Sequence, residues 1–349
     1  MLQFYQNVQV KVAFLDKYCY NHGRSSADGR DSFNINKGEK RMKITKKTIG
    51  LGVAIIVTLG VLWAVLKPAP AAATEMDVYG SLNYMLSKNE DSNGNSTSKA
   101  ENNGSSIGVI LVEELAEGVQ GFANVEVGID TDDTGSNPFD TKLAYAGVDM
   151  DDLGTFSVGR QNSVFKKVTS KTDVFPEYGG GAAQKLFSRD SHTIQYSNQF
   201  GPFSFDNQVK VDGSTGKSGI DVYETAIGFG LNDEIDIAIA YSDDKVNDVQ
   251  HYGAGVTVFL SEDTSIGYNH TIKDTTTDVK ANEVVGSHTV DNTTFSLGYG
   301  KIDDGNAYTT IGAVAQLSDN LELYGAYEIT DVTSGTDTGD MSFGLKFKF

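Results

Sequence analysis

The chain has 349 residues, room for two average soluble domains or one large barrel. Its 47 acidic and 28 basic residues give a net charge of −19, which excludes the basic face of a nucleic-acid binder. Aromatic residues make up 10%, too many for a disordered acidic chain. The lone cysteine, Cys19, excludes an internal disulfide framework, and no Cys/His set has zinc-ligand spacing, so neither a cofactor nor a metal is implied.

Residues 1–41 carry mixed charge and no sustained hydrophobic period. They read as a non-native leader from an over-called start, with Met42 the true one; a genuine cytoplasmic leader is the competing reading. Residues 42–73 form a signal peptide. Lys43, Lys46 and Lys47 precede the apolar run Ile49–Leu66, and the small residues Ala71 and Ala73 follow it. An uncleaved anchor is the alternative for a run of this length. Residues 1–73 hold 11 of the 28 bases and 4 of the 47 acids. Cleavage after Ala73 therefore leaves 17 bases and 43 acids, net −26, and no cysteine.

From residue 74 onward the pattern has period two, with runs separated by Gly, Asp, Asn and Ser clusters. The apolar phases include Met76-Val78-Gly80-Leu82-Tyr84-Leu86, Leu143-Tyr145-Gly147, Ile235-Ile237-Ile239-Tyr241, Ile266-Tyr268-His270-Ile272, Leu321-Leu323-Gly325-Tyr327-Ile329 and Phe343-Leu345-Phe347-Phe349. Polar or small residues such as Asp77, Ser81, Asn83, Lys142, Asp236, Asn269 and Lys346 alternate with them. Each strand thus has one apolar and one polar face. Short connections (Ala116–Gly118, Asp151–Gly154, Asn198–Pro202, Asn232–Glu234, Ser261–Asp263, Ser318–Asn320) alternate with long polar ones (Lys88–Gly104, Thr131–Thr141, Gln161–Phe187, Thr275 to about Asn282, Asp331–Asp340). Export, alternating connection length and water-demanding polar faces together predict an all-β fold: a transmembrane antiparallel β-barrel of about sixteen strands spanning 74–349. The alternation is poor over Thr275–Asn292, so fourteen strands is the alternative. Tyr79, Tyr84, Tyr196, Phe203, Tyr252, Tyr299, Tyr324 and Phe347 lie near strand ends and fit aromatic interface girdles. A secreted β-sandwich is the soluble alternative.

The stretch 161–188 is the longest connection and too apolar for a free loop in solvent. Pro176 fixes one φ, and Gly179, Gly180 and Gly181 permit a sharp return, which suits a loop folded inward against a barrel wall.

Three segments resemble the general diffusion porins of Gram-negative outer membranes. They are Asp77-Val78-Tyr79-Gly80, the stretch from Leu143-Ala144-Tyr145-Ala146-Gly147 through Gly159-Arg160-Gln161 to Thr172-Asp173-Val174-Phe175-Pro176-Glu177-Tyr178-Gly179-Gly180, and the terminal strand ending in Phe349. The close match covers about 141–196. This resemblance implies that 161–188 is the constriction loop of a pore, with Asp173 and Glu177 as its carboxylates. It implies Lys142 and Arg189 as basic residues on the facing wall, with Arg160 beside the loop. Two further basic positions of the family fall on Ser81 and Ser106, so the basic wall is thin. Lys166, Lys167, Lys171 and Lys210 are candidates to compensate.

The resemblance further implies a homotrimer, contact with outer-membrane lipid and lipopolysaccharide, and recognition of the terminal Phe349 by the barrel-assembly machinery. The implied activity is non-enzymatic: passive diffusion of small hydrophilic solutes and ions through a water-filled channel in the cell outer membrane. Net charge −26 and a depleted basic wall add a preference for cations. The alternatives are a substrate-selective porin, for example for an oligosaccharide, and a non-conducting barrel acting as adhesin or structural protein. Two motif fragments carry nothing further. Gly213–Ser218 lacks the first glycine of a P-loop, since Val211 stands there. Asp130–Gly135 lacks the closing Glu of a calcium loop.

Overall fold

A computed structural model describes residues 74–349 apart from 133–137, 179–188, 214–218, 277, 304 and 334. Residues 1–73, read above as leader and signal peptide, the three loop glycines, most of Gly213–Ser218 and half of Asp130–Gly135 lie outside the described residues.

The described residues form antiparallel strands through most of their length. They are β1 (Glu75–Glu90), β2 (Ser96–Asn102), β3 (Ser106–Ala116), β4 (Val119–Ile129), β5 (Phe139–Met150), β6 (Gly154–Asn162), β7 (Arg189–Phe200), β8 (Phe203–Lys210), β9 (Val222–Leu231) and β10 (Ile235–Asp244). They continue as β11 (Val249–Ser261), β12 (Thr264–Asp274), β13 (Val279–Val290), β14 (Thr293–Ile302), β15 (Ala307–Gln316), β16 (Leu321–Asp331) and β17 (Thr338–Lys348). β2 and β3 pair with the two halves of β1, so they are one stave broken at Asn103–Ser105, and the barrel has 16 strands. Pairing of β1 with β17 closes it, and Gly80 and Phe349 exchange two main-chain bonds of 3.0 and 3.1 Å at the seam. Closure leaves no sheet edge unpaired, which a lipid environment requires.

Short turns join the strands at one end. Five of them carry positive-φ residues: Gly118, Asp151 with Gly154, Gly201, the pair Asn232-Asp233, and Asp291. Such residues match hairpin turns to strand twist. The other end carries the longer connections. The uncertain stretch is a full strand, β13, which settles the count in favour of sixteen. Two differences from the sequence reading appear at the long-loop end. Lys88–Gly104 is mostly strand, because Tyr84–Glu90 of β1 and Ser96–Asn102 of β2 pair as a hairpin. The β8–β9 connection, 211–221, is also long.

The outward faces form an apolar belt. Met76, Val78, Leu82 and Leu86 stand exposed on β1, as do Ile237 and Ile239 on β10, Phe295 and Leu297 on β14, and Phe343, Leu345 and Phe347 on β17. Exposed apolar rows of this kind belong against lipid. The apolar core lies between the barrel wall and the connection after β6. There Val164, Phe165 and Val168 pack on Ala226, Ala238 and Ala240.

Three phase assignments need correction. Leu143, Tyr145 and Gly147 face inward, because Tyr145 pairs with Asn124 across the sheet and its hydroxyl accepts from Asn124 Nδ2 at 3.3 Å. A bulge at Lys142 shifts the register there by one residue and puts Ala144 and Ala146 on the outer face. Tyr79 and Tyr324 also face inward: Tyr79 donates to Asn124 Oδ1 at 2.9 Å, and Tyr324 to Asn83 Oδ1 at 2.8 Å. Neither belongs to an outer girdle; Tyr84, Phe203, Tyr252 and Tyr299 do stand exposed on the outer face.

Candidate functional site

After β6 the chain turns into the barrel rather than out of it. Ser163 donates to Glu224 Oε2 at 2.6 Å on the inner face of β9. A single helical turn, α1 (Lys166–Thr169), then runs along the wall. Phe165 is 0% exposed, edge-on to His251 at 6.5 Å. Burying a Phe or Val side chain stabilises by about 1.5–3 kcal/mol, so this segment is held firmly to the wall.

The wall is shaped to take it. Glycines stand on the inner faces where the loop crosses, and an added Cβ would strike the loop at each one. At Gly255 it would lie 2.7 Å from Val168 O, at Gly267 1.9 Å from Lys171 O, and at Gly298 and Gly312 2.8 and 2.9 Å from the Phe175 ring. Farther along, Glu283, 1% exposed on β13, accepts bonds from Tyr308 Oη and Thr172 Oγ1, and from Asn269 Nδ2 at 3.2 Å. A buried carboxylate is tolerated only with such partners.

The far end of the loop is held by the break between β2 and β3. Asn83 Nδ2 donates to Asn103 O at 2.6 Å, and Asn103 Nδ2 donates to Tyr324 Oη at 2.9 Å and Pro176 O at 3.5 Å. Tyr178 donates to Asn89 Oδ1 at 3.1 Å. Burial first, then the nearby Asp340, Glu177, Glu101 and Glu328 carboxylates, push the Tyr178 phenol up to about 12.

The predicted site residues fall as follows. Asp173 stands exposed on the loop, beyond the Glu283 anchor. Glu177 is half-buried beside Tyr178, close enough to Tyr324 for its charge to act there. Lys142 is the bulged residue of β5; its Nζ donates to Gly104 O at 2.7 Å and lies 4.0 Å from Glu126 Oε1. Arg189 opens β7 opposite Asn162, and its charge acts on Lys142 together with that of Lys346. Arg160 is set apart from these four. It pairs with Ala144 and shares the outer face of Val158, and its guanidinium donates to Thr141 O and Ser191 Oγ, both at 2.9 Å. It braces the wall at the bulge of β7. Ser81 and Ser106 are direct partners on the inner wall.

Lys346 was named in the sequence only as a polar residue of the last strand; its inward phase was the available signal. The glycine bed and the two anchoring acids, Glu224 and Glu283, were missed. Of the four candidate compensating bases, three are offset by neighbouring carboxylates. Lys167 is paired with Asp206, Lys171 with Asp236, and Lys210 lies 3.6 Å from Asp212 and 4.0 Å from Asp190.

A closed 16-strand barrel with an apolar outer belt and a polar lumen narrowed by an inward loop is a membrane-spanning pore-type protein. The chain matches the Gram-negative porin family model over residues 58–335 and belongs to that family. It is accordingly a non-enzymatic protein of the outer membrane. Outer membrane porin C of Salmonella typhimurium is 26% identical over 273 residues, covering 73% of this chain and 61% of the relative. The chain thus spans less than two thirds of that relative's length. Two solved structures share the fold at low identity. The anion-selective porin from Comamonas acidovorans aligns with a TM-score of 0.68 at 17% identity, over 79% of this chain and 100% of that one. OmpT of Vibrio cholerae, in its trimer form, aligns at 0.64 and 18% over 80% and 100%.

Proposed function

We propose that the barrel is a passive channel for small hydrophilic solutes and ions, with cations favoured over anions. The observation that carries this is the loop itself, pinned across the lumen with Asp173 and Glu177 at its far portion. On the wall, Lys142, Arg189 and Lys346 supply the opposing charge. The acids and bases set up a field across a narrow water path, and low-dielectric walls focus it. Apolar solutes must disturb water ordered in that field, while small polar ones need not. Cation preference follows from the charge balance, since Lys167, Lys171 and Lys210 are each offset by a neighbouring carboxylate. The fold alone does not set the sign, as a neighbour of the same fold is anion-selective by its own description.

A homotrimer is the assembly this reading carries, by analogy with the trimer form of OmpT. Lipid and lipopolysaccharide surround the belt, the assembly machinery reads Phe349, and the segment 42–73 exports the chain.

The test is single-channel recording of the mature chain, 74–349, in planar bilayers under a salt gradient. The expected reversal potential has the cation-selective sign and moves toward zero in Asp173→Asn/Glu177→Gln. Anion preference overturns the selectivity. Inserted but non-conducting barrels would point to an adhesin or structural role. One observation favours a second reading: Tyr79, Phe122 and Tyr145 cluster on the inner wall, with Phe122 and Tyr145 rings edge-on at 6.2 Å. Such a surface suits sugar rings, and interruption of the current by maltooligosaccharides would support an oligosaccharide-selective channel.

A further inference from the structure

Behind the loop, at the short-turn end of the lumen, lies a cavity of about 840 Å³. Loop residues Lys167, Ser170 and Lys171 form one side; residues of β7 to β10, the turns that join β7 to β8 and β9 to β10, and Phe259 of β11 form the rest. Its size falls within the range of small-molecule sites, about 300–1,000 Å³.

Two ion pairs line it, and they are oriented oppositely. In the first, Asp206 is 9% exposed and Lys167 36%. In the second, Lys171 is 10% exposed and Asp236 51%. The cavity therefore meets one ammonium and one carboxylate that are each backed by a buried counter-charge, with the exposed turn residue Asp233 adding a second carboxylate at its rim. Lys167 Nζ donates to Asp206 and to Ser204 Oγ at 2.8 Å, leaving a third N–H. Asp236 takes Lys171 on Oδ2, leaving Oδ1 as an acceptor. Lys167 lies on α1 and Lys171 two residues past its end, so one short stretch of the loop carries both ion pairs. Gly230, the partner of Asp236 across the sheet, keeps the floor open: a Cβ there would meet nothing within 4 Å.

We propose that this cavity binds a small zwitterion of amino-acid to dipeptide size, its carboxylate on Lys167 and its ammonium on Asp236. A simple anion is repelled by Asp236 and a simple cation by Lys167. Only a ligand carrying both charges satisfies both groups, which is selection by repulsion as well as attraction. The site lies on the short-turn side of the loop, away from Asp173 and Glu177. It would retain such a solute briefly after passage.

The probe is L-alanyl-L-alanine, followed by saturation-transfer NMR with the full barrel folded in detergent. The measurement needs no conduction, so its outcome is separable from the channel reading. Weak binding, on the order of millimolar, is expected. The N-acetylated and the C-amidated dipeptides should each bind at least tenfold more weakly. Asp236→Asn should erase the penalty for acetylation and Lys167→Gln that for amidation. Gly230→Leu, which fills the floor, should abolish binding. Equal affinity for the capped peptides on the unsubstituted protein overturns the proposal, as does absence of binding. Where a variant fails to fold, the capped peptides alone decide.

Discussion

The two halves of the inner wall obey different rules. On the β1–β5 side the inner face borders the lumen, and it carries Tyr79, Asn124, Glu126, Lys142 and Tyr145, joined by part-buried hydrogen bonds and the 4.0 Å Lys142–Glu126 ion pair. On the β9–β15 side it meets the loop, and it carries alanines, glycines and two carboxylates at 1% exposure. The first half is a hydrogen-bonded polar face on the lumen; the second is a protein core that happens to line a barrel. The same residue type therefore has a different energetic meaning on each side, and paired substitutions across the halves make the difference measurable.

The largest contrast should come from the carboxylates. Glu283→Ala strands the buried donors Tyr308, Thr172 and Asn269, and breaking such a network costs about 3 kcal/mol. Glu126→Ala removes a group that water can replace and should cost under about 1 kcal/mol. Urea unfolding of the two variants in detergent reads this directly. Similar midpoints would mean that the loop is not anchored through Glu283.

Glycine substitutions come next. A Cβ at Gly267 meets main-chain Lys171 O, which cannot swing away, so Gly267→Val must lift the loop, at about 2 kcal/mol. At Gly108 the nearest atoms are the far end of the Tyr79 ring, which has the lumen to turn into. Gly108→Val should be tolerated. Limited proteolysis should therefore cleave near 163–178 in the Gly267 variant and leave the Gly108 variant intact.

The same division explains what the sequence disclosed. Alternation marked the strands because the outer face is apolar everywhere, and connection length marked the two ends of the barrel. It failed at β13, where the inner face carries Ala281 and Val285 under the loop while Asn282 and His270 bond to each other on the outer face. Both faces are mixed, so no period shows. It failed at β5 because a bulge at Lys142 slips the phase by one residue, and a bulge leaves no period of its own. Among the proposed site residues, Asp173, Glu177, Lys142 and Arg189 came from family resemblance, which gives a position in the chain and not a side-chain environment. Arg160 does stand near the end of β6 beside the loop, but the face it takes there, shared with Val158, was not given by the resemblance. Lys346 needed only the phase of the last strand. The glycine bed was illegible in principle, since a glycine on a polar phase looks the same whether a loop or water covers it.

The smallest effect is expected at the loop's far end, where the halves meet. Tyr178 donates to Asn89 Oδ1 at 3.1 Å, and Tyr178→Phe should cost about 1 kcal/mol or less. Its counterpart on the open wall, Tyr145→Phe, loses a 3.3 Å bond that water replaces and should be neutral. The distinguishing signature is pH. Burial and the surrounding carboxylates raise the Tyr178 phenol to about 12, whereas the unfolded chain titrates near 10. The folded protein thus holds this proton more tightly. The stability it contributes is fully present below about pH 10 and is lost as pH rises through about 12. Urea midpoints followed across that window should fall in the unsubstituted barrel, and fall less in Tyr178→Phe. Parallel profiles for the two proteins would place Tyr178 in water, outside the core that the loop makes with the wall.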